Sequence, residues 1–463
     1  MIAIVGGGIT GLAAAYELAT RDLPFLLLES TDRIGGLVRT DHLDGYTIDG
    51  GADSMLVQKP AAIDLCRDLG LESRLIAQTP PRTAFVYAND RLHPLPSPSL
   101  FGIPNTWIGL AHFDLLPVAE RVRLALGLLP SSRIAPASDA QDESVASFFR
   151  RRFGQAAVEL IAEPLIGGIH AGDVERLSIK ATAPRLLGED LRVNLGAQKA
   201  SASPIAPRVE FRSLVGGMGE LVSAIERRLP AGSIRIRSGA LELARVRSDE
   251  RTSPAWRVTS AGGTIDADAV IIAAPAYEAA RLCGAVDPNL ADLCNAIRYV
   301  STASVALAWP KPTVPHPLDG SGFIVARRHS RLRITACTWV SSKWPHRAPA
   351  GSALLRAFLG GATDPKVLSL SDDELIGVAV NDLSTALGVS LTPKFTRVTR
   401  WPKAGAQHEV GHQERLTKIE GRLAGLPGLF VAGSGFRSIG IPDCIADGRA
   451  AADASARYVK IAS

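Results

Sequence analysis

The chain has 463 residues, which is too many for one compact core and enough for two or three domains. Its composition, with 46% hydrophobic and 21% charged residues, is typical of a folded globular protein and excludes a fibrous or largely disordered chain. The net charge of +5 comes from Lys and Arg residues spread over the whole length. A nucleic-acid partner is therefore disfavoured, whereas anionic lipid and an acidic small molecule stay open as partners.

Cysteine usage and the first residues indicate a reducing, cytoplasmic location. Five cysteines lie far apart and form no CxxC pair, which argues against a disulfide framework and against a zinc site. The sequence starts directly on an apolar strand, and no signal peptide is expected. The longest uncharged stretch, residues 92–113, contains several prolines and is therefore not expected to cross a membrane.

The opening residues predict a strand, a glycine turn, a helix and a second strand. The strand Ile2–Val5 runs into Gly6, Gly8 and Gly11, which form the pattern GxGxxG before the helix LAAAYELA. The first glycine permits a tight turn, the second lets the backbone approach a pyrophosphate, and the third lets helix and strand pack closely. Glu29 ends the second strand, FLLLE, where its carboxylate can accept hydrogen bonds from a ribose diol. The unit predicts a dinucleotide site.

A second set of glycines predicts a flavin dinucleotide rather than a nicotinamide one. Arg33, Gly35 and Gly36 follow the acid as R-x-G-G, and the run DGGADS at 49–54 adds another close backbone approach. A strand near residue 430 closes on VAGS, and the next loop leads into a helix predicted to begin at Pro442. The N-terminus of that helix would stabilise a reduced, anionic flavin ring. A nicotinamide enzyme would have no use for this return of the chain.

The middle of the chain predicts two further regions. From about residue 92 to 207 proline-rich loops give way to helical patterns, residues 211–229 predict a turn and an amphipathic helix, and residues 295–400 alternate strands with one or two helices. The predicted fold class is α/β. It comprises a Rossmann-like FAD-binding domain (1–85, 208–285 and 405–463), an inserted, mainly helical domain (92–207) and a mixed-sheet substrate domain (286–404).

Three longer stretches carry a resemblance to a known family. They are FGQAAVELIAEPLIGGIHAGDVERLSI (153–179), ITACTWVSSKWPHRAPAGSALLRAFLGG (334–361) and FVAGSGFRSIGIPDCIADGRAAADA (430–454), with LHPLP at 92–96 and VGH at 410–412. Over essentially its whole length the chain resembles the FAD-dependent amine oxidase superfamily. Within it, the chain is similar to the oxygen-dependent protoporphyrinogen/coproporphyrinogen oxidase family, whose middle and C-terminal motifs monoamine oxidases do not share.

The resemblance implies that FAD is bound without a covalent bond, Cys444 included, and it implies which residues contact the cofactor. These are Gly6, Gly7, Gly8, Ile9, Thr10, Gly11, Glu29, Ser30, Leu37, Gly51, Ala52, Asp53, Ser54, Leu241, Ser434, Ile439, Gly440 and Ile441. The R-x-G-G pattern adds Arg33, Gly35 and Gly36 to the predicted cofactor site.

The resemblance also implies the reaction. A porphyrinogen is oxidised to the porphyrin of haem biosynthesis by successive hydride transfers to the flavin, and dioxygen reoxidises the flavin to give hydrogen peroxide. Protoporphyrinogen IX is the favoured substrate and coproporphyrinogen III the close alternative. A carotenoid desaturase and a non-catalytic flavin-binding protein are the remaining alternatives. Because aromatisation is downhill, no catalytic acid or base and no metal site is predicted.

A tetrapyrrole that bears propionates requires a broad apolar slot with a few cations. The candidate side chains are Arg82, Arg91 and Lys343 for the carboxylates, and Phe323, Trp339 and Trp344 for the walls. The alternative reading of the cations is a solvated surface charge, and that of the aromatic residues is ordinary core. His170, within GGIHAGD, is expected to be a hydrogen-bonded structural histidine.

Two positions depart from the family pattern. Residues 406–409 read AQHE, where many members have a tyrosine-containing PQY run before VGH. Ala84 stands where some members place an arginine beside the substrate, and Arg82 is the candidate replacement.

A proline-rich segment predicts a contact at the surface of a membrane. Residues 95–116 include apolar side chains that would reach the interface, with cations beside lipid phosphates. The apolar residues are Phe101, Trp107, Ile108 and Phe113, and the cations are Arg121, Arg123, Arg150, Arg151 and Arg152. The alternative is a helical lid packed on its own core. Peripheral contact with the inner face of the cell membrane, or with the next enzyme of the haem pathway, is expected.

Overall fold

A computed structural model of the chain describes residues 1–128, 142–187, 210–246, 255–311, 314, 316–437 and 439–462. At its centre lies a five-stranded parallel sheet in the order Ile234–Arg235, Phe25–Leu28, Ile2–Val5, Ala269–Ile272 and Leu429–Val431. Strands from the first thirty residues and from around residue 430 therefore belong to one sheet. The predicted α/β fold with a Rossmann-like sheet is confirmed.

Long helices cover one face of this sheet. The sheet's strands are short apolar runs, as strands that are buried on both faces require. The helices Ile9–Ala19 and Ile441–Ala462 pack against each other on this face. A Cβ atom on Gly448 would lie 2.2 Å from the carbonyl oxygen of Thr10, so the two helices approach at a distance that only glycine allows. The final helix begins one residue before Pro442, where the sequence predicts its start.

A small antiparallel sheet and two helices cover the other face. The strands are Ala240–Arg245, Trp256–Ser260 and Gly263–Ala267, and the helices are Ala276–Cys283 and Pro288–Asn295. The buried side chain of Trp256 donates a hydrogen bond from Nε1 to the carbonyl oxygen of Pro427 at 3.1 Å. This bond ties the small sheet to the last strand of the parallel sheet.

A seven-stranded mixed sheet forms a second core. Its order is Phe395–Ala406, Tyr299–Pro310, Ser352–Gly360, Ala336–Thr338, Gly322–Val325, Ala84–Ala88 and Arg91–Pro94. The helix Asp372–Leu387 covers one face. The last two strands come from before residue 95, so the sheet takes in chain from outside the range 286–404. The division into three domains stays a prediction, and its boundary between 207 and 208 lies outside the described residues.

Most of the short helices lie in residues 107–182. They are Trp107–Ala111, Val118–Leu128, Val145–Phe153, Gln155–Ala157, Gly168–His170 and Ile179–Thr182. The turns of Val158–Gly167 are those of a π-helix, with Pro164 inside it. Proline has no N–H to offer to an α-helical bond and its ring crowds the preceding turn, so wider turns accommodate it.

Residues 211–229 contain the predicted turn and helix, and a strand that was not predicted precedes them. Phe211–Leu214 is a strand that pairs antiparallel with Met55–Leu56 and Leu75–Ala77. The helix Gly219–Glu226 follows it. The sequence did not reveal this strand because its partners lie more than a hundred residues earlier, where no local pattern indicates them.

The remaining elements complete the surface of both cores. They are the hairpin Thr40–Leu43 with Tyr46–Asp49, the strand pair Ser99–Leu100 with Ile103–Pro104, and the helices Ala61–Asp68, Val340–Lys343 and His412–Ala424. None of the helices in the described ranges combines the length and the apolar character that crossing a bilayer requires.

Candidate functional site

The first glycine loop has the geometry that the GxGxxG pattern predicts. Gly6 has φ +109°, and a Cβ there would lie 2.6 Å from the carbonyl oxygen of Ala273. A Cβ on Gly11 would lie 1.9 Å from the carbonyl oxygen of Gly6. A Cβ on Gly8 would meet no protein atom within 4 Å. Packing therefore accounts for the first and third glycines, and an open cradle for a ligand accounts for the second.

Glu29 is tied to the same loop and keeps capacity for a ligand. Its Oε2 accepts a hydrogen bond from the backbone N–H of Gly7 at 2.8 Å, and its Oε1 accepts from the N–H of Thr31 at 2.7 Å and from the Ser30 hydroxyl at 3.3 Å. A carboxylate has about four acceptor positions. One position is therefore left for a ribose hydroxyl, at a side chain that is only 8% exposed.

The R-x-G-G segment packs directly on the first loop. The N–H of Gly35 donates to the carbonyl oxygen of Gly7 at 2.7 Å, and a Cβ on Gly36 would lie 3.0 Å from Cα of Gly8. Arg33 donates from Nη2 to the carbonyl oxygen of Gly36 at 2.7 Å. Its guanidinium thus holds the turn, and the two glycine segments form one wall of the cradle.

Side chains of the seven-stranded sheet donate hydrogen bonds to carbonyl oxygens of the loop of residues 49–54. Arg356 donates from Nη1 to Gly51 O at 2.9 Å, and Trp401 donates from Nε1 to Gly50 O at 2.9 Å. The described residues offer no acceptor to the backbone N–H groups of Gly51 and Ala52. Those N–H groups are therefore available to a ligand on the side of the loop that faces away from the sheet.

Buried charges surround this loop. Lys343 Nζ lies 3.2 Å and Arg356 Nη2 lies 3.3 Å from Asp53 Oδ2, and Arg347 Nη2 lies 3.1 Å from Asp49 Oδ2. Burial alone would raise the pKa of Asp53, but Lys343 and Arg356 hold that pKa well below its ordinary value. The cluster has one more cation than carboxylates, which suits a site for an anionic group.

The C-terminal glycine loop is held from several sides. The N–H of Gly433 donates to Asp447 Oδ2 at 2.7 Å, and Lys59 Nζ lies 2.6 Å from Asp443 Oδ2 at the start of the final helix. Burial raises the pKa of the Cys444 thiol to about 12, so this sulfur stays protonated at neutral pH. The loop lies beside Thr10 of the first helix, since a Cβ on Gly433 would lie 3.4 Å from the Thr10 hydroxyl oxygen.

The structure brings only part of the predicted substrate set together. Lys343 is paired with Asp53 of the predicted cofactor site. Phe323 and Trp339 are 2% and 0% exposed in the core of the seven-stranded sheet, and Trp344, at 0%, is buried beneath the amino group of Lys343. Arg91 lies on the edge strand of this sheet and forms an ion pair with Asp114. Its strand is four strands away from the strand that carries Arg356. That separation is about 19 Å at the usual strand spacing.

Two further predicted residues lie outside the charge cluster. Arg82 is half-buried, and its Nε donates to the carbonyl oxygen of Gln78 at 3.2 Å. Burial lowers the pKa of His170 to about 4, so its ring is neutral at physiological pH. Its carbonyl oxygen accepts a hydrogen bond from Gln407 Nε2 at 3.0 Å. Next to His170, the side chain of Ile169 is 60% exposed.

Sequence reasoning missed several residues that shape the site. Arg356 and Trp401 position the loop of residues 49–54, and His408 and His412 contact the C-terminal glycine loop. One signal was present for Arg356, because a single charge stands in the middle of the apolar strand SALLRAFLG. A buried charge inside a strand is retained only when it has partners.

Comparison with known proteins agrees with the glycine cradle, Glu29 and the C-terminal glycine loop. The family described as flavin containing amine oxidoreductase matches residues 9–454. Coproporphyrinogen III oxidase of Bacillus subtilis is 35% identical, over 99% of this chain and 98% of that protein. Protoporphyrinogen oxidase 1 of Spinacia oleracea chloroplasts is 28% identical, over 96% of this chain and 81% of that protein.

A solved structure agrees with both relatives. The crystal structure of a proposed protoporphyrinogen oxidase from Exiguobacterium superposes with a TM-score of 0.84 at 32% identity, covering 99% of this chain and 98% of that one. Because the family match extends over nearly all of the sequence, the chain belongs to the flavin-containing amine oxidoreductase family.

Proposed function

We propose that the protein is a flavin-dependent oxidase that converts a porphyrinogen to the porphyrin of haem biosynthesis. Its cofactor is non-covalent FAD, and dioxygen is the electron acceptor. The single observation that carries the proposal is the glycine cradle at Gly8, open to a ligand and flanked by Glu29, in a chain that matches porphyrinogen oxidases over its full length. An open glycine beside an acid fits the pyrophosphate and ribose of a dinucleotide.

Coproporphyrinogen III is the first substrate to test. Relatives named coproporphyrinogen III oxidase reach 35% identity and include those of Bacillus subtilis and Staphylococcus aureus, the latter at 30%. The second candidate is protoporphyrinogen IX, which the sequence analysis favours. It is supported by the Spinacia oleracea relative at 28% and by the Exiguobacterium structure at 32%.

The donor and acceptor groups of the site match different parts of FAD. The N–H groups at the start of the helix Ile9–Ala19 face the cradle and suit the pyrophosphate, and Glu29 suits the ribose. The N–H groups of Gly51 and Ala52 suit the polar edge of the flavin ring. Bound FAD supplies the hydride acceptor for the oxidation and passes the electrons to dioxygen.

The remaining residues shape the environment of the substrate. Lys343 and Arg356 leave the cluster with net positive charge, which suits an electron-rich substrate that carries carboxylates. Ile169 presents an apolar side chain at the end of the π-helix segment, as a tetrapyrrole face requires. His170 stays neutral, so it adds no charge beside Ile169.

An exposed apolar face supports the peripheral contact with an anionic membrane. Val118, Val122 and Leu126 follow one face of the helix Val118–Leu128 at 67%, 55% and 57% exposure. Trp107 and Ile108 are also exposed, whereas Phe113 is buried and Phe101 half-buried. Arg123 is exposed on the same helix, where it can reach lipid phosphates, whereas Arg121 donates a hydrogen bond to the carbonyl oxygen of Ala111.

Vesicle sedimentation tests this contact. We expect binding to vesicles that contain phosphatidylglycerol and loss of that binding in the Val122→Asp/Leu126→Asp variant, whose catalytic site is unchanged. Equal sedimentation with neutral phosphatidylcholine vesicles, or none with either, contradicts a role for the lipid charge. Capture by the next enzyme of the haem pathway, without lipid binding, supports that enzyme as the partner.

Two measurements on the purified protein test the proposed function. The absorption spectrum is expected to show bound flavin that is released on denaturation, which separates non-covalent from covalent attachment. Each porphyrinogen is then supplied in air, and porphyrin fluorescence and peroxide are followed. A protein that takes up no FAD contradicts the proposal. A protein that binds FAD but oxidises neither porphyrinogen is instead a non-catalytic flavin-binding protein or a carotenoid desaturase.

A further inference from the structure

Two stacked histidines lie in the segment that joins the last strand of the seven-stranded sheet to the helix His412–Ala424. His408 is 1% and His412 2% exposed. Their ring centroids lie 4.0 Å apart, and the ring planes make an angle of 15°. His408 stands in the AQHE run, one of the two places where the sequence departs from its family pattern.

Both rings donate a hydrogen bond to the C-terminal glycine loop. His408 Nε2 lies 3.0 Å from the carbonyl oxygen of Ser434, and His412 Nε2 lies 2.6 Å from that of Phe436. A carbonyl oxygen only accepts hydrogen bonds, so each imidazole has its proton on Nε2. Two neutral rings also stack without the repulsion that two imidazolium ions would have.

These bonds fix the orientation of the peptide groups in the loop. In a trans peptide the C=O of one residue and the N–H of the next point in opposite directions. When His408 holds the Ser434 carbonyl, the N–H of Gly435 must therefore point away from the histidines. The described residues offer no acceptor to the N–H groups of Ser434 and Gly435. A polar ligand on that side would satisfy them.

We propose that His408 and His412 are positioning residues, which orient those N–H groups of the loop 434–437 that have no acceptor among the described residues, Gly435 first, towards the bound flavin. The inference rests on the proposed function, because it takes this loop as part of the FAD site. It goes further by assigning a role to two residues that would contact neither FAD nor the substrate. Their effect passes through the carbonyl oxygens of Ser434 and Phe436.

The neighbouring residue provides a matched control. Gln407 is 3% exposed, and its Nε2 donates to the carbonyl oxygen of His170, in the helical region. Replacing Gln407 by Leu removes a buried hydrogen bond of the same kind in the same segment. That bond does not involve the glycine loop.

The experiment compares FAD affinity among single variants. His408→Phe and His412→Phe keep an aromatic ring and remove the donor, whereas His408→Gln restores a donor at the position of Nε2. The dissociation constant of FAD is measured by titrating the apoprotein, and the apoprotein's thermal midpoint is recorded beside it. We expect about a tenfold weaker affinity in both Phe variants, which corresponds to the loss of one hydrogen bond. His408→Gln should recover the affinity for FAD. Gln407→Leu should lower the thermal midpoint of the apoprotein without changing the affinity for FAD.

The absorption spectrum of the bound flavin is the second readout. The Phe variants are expected to shift the flavin bands, because the polar contacts of the ring or its chain change, while Gln407→Leu keeps the wild-type bands. Wild-type affinity and spectrum in His408→Phe and His412→Phe would overturn the inference. An equal loss of affinity in Gln407→Leu would also overturn it, since any buried hydrogen bond would then serve. If His408→Phe does not fold, His412→Phe and His408→Gln decide.

Failure of the proposed function is distinguishable from failure of this inference. A wild-type protein that binds FAD but oxidises no porphyrinogen removes the proposed function, and the affinities still decide the role of the histidines. A wild-type protein that binds no FAD removes both.

Discussion

A buried arginine connects the two cores of the molecule. Arg356 is 4% exposed in the strand Ser352–Gly360, and its guanidinium reaches across to the carbonyl oxygen of Gly51 and to the carboxylate of Asp53. Taking a charge out of water is costly, so such a residue persists only with several partners. Its partners here lie in the loop where the N–H groups of Gly51 and Ala52 have no acceptor among the described residues.

Replacing Arg356 by Met is expected to destabilise the protein strongly. The change leaves the buried carboxylate of Asp53 with Lys343 as its remaining cation, and removing one partner of a buried ion pair costs about 3–5 kcal/mol. Urea denaturation and the flavin content of the purified protein measure the effect. Arg257→Met, at an exposed pair with Asp266, is the control and should leave the urea midpoint nearly unchanged. A wild-type midpoint in Arg356→Met would contradict the assigned role.

Glycine substitutions separate a packing role from a binding role. Gly8 has φ −69° and open space at the Cβ position, so Gly8→Ala should leave the stability of the apoprotein unchanged. The added methyl group would displace the pyrophosphate and weaken charge-assisted hydrogen bonds of about 1.5–3 kcal/mol, which is about tenfold to a hundredfold in Kd. Gly11→Ala should lower the stability of the apoprotein itself. Titration with FAD and thermal melts measure both, and equal melting losses in both variants would contradict the distinction.

Two helices set how the N-terminal and C-terminal segments meet. The helices Ile9–Ala19 and Ile441–Ala462 approach closely where Gly448 faces the carbonyl oxygen of Thr10. Both helices begin at loops that form the candidate flavin site. The distance between the helices therefore sets the distance between the loops.

Gly448→Val is expected to separate these helices. Overpacking a close contact costs about 1–3 kcal/mol, and the loops at the helix N-termini should move apart, so flavin is retained less well. The urea midpoint and the flavin-to-protein ratio are the measurements. Ala446→Val, at an exposed position of the same helix, is the control because it places the same side chain where no close helix contact is disturbed. If both variants lose the same amount of flavin, the close approach has no role in binding.

The local elements of the site were predictable, and its tertiary supports were not. Gly6, Gly8, Gly11 and Glu29 lie within one βαβ unit, so their spacing alone encodes the turn, the cradle and the acid. Arg356 and Trp401 reach the site from strands that are distant in sequence, and no local pattern indicates where a strand will dock.

Two aromatic side chains and one strand also show that local sequence does not reveal tertiary contacts. Phe323 and Trp339 have the character that a substrate slot requires, but the same character suits a core, and the structure places both in the core. The strand Phe211–Leu214 forms through pairing with two distant strands. Local sequence thus determines whether some segments form a helix or a strand, whereas in other segments contacts with distant parts of the chain determine it.

At the scale of the whole molecule, buried neutral histidines couple stability to pH. Burial, together with the neighbouring His412, lowers the pKa of His408 to about 3, and burial lowers that of His170 to about 4. Burial also lowers the pKa of His412, which Arg415 lowers further and Asp142 raises. Because these pKa values are lower in the folded than in the unfolded chain, protons bind the unfolded state preferentially as the pH falls below about 6.5.

The free energy of unfolding is therefore expected to decrease as the pH is lowered from 7 to 5. Each such histidine contributes a slope of up to about 1.4 kcal/mol per pH unit in this window. Asp53, whose pKa is depressed, titrates below it. Urea midpoints at several pH values measure the slope. His408→Gln should reduce the slope, whereas Gln407→Leu, which removes no titrating group, should keep it. An unchanged slope in His408→Gln would contradict the assignment.

The parallel sheet takes its central strand from residues 2–5 and its edge strand from residues 429–431. During synthesis the glycine cradle therefore emerges long before the loop and helix that face it. Under the proposed function, a partly made chain has only half of the cofactor site, so tight binding of FAD must wait until the segment around Ile441 has left the ribosome and docked. A cell short of this vitamin-derived molecule would then accumulate apoprotein that extends beyond Ile441 rather than shorter fragments.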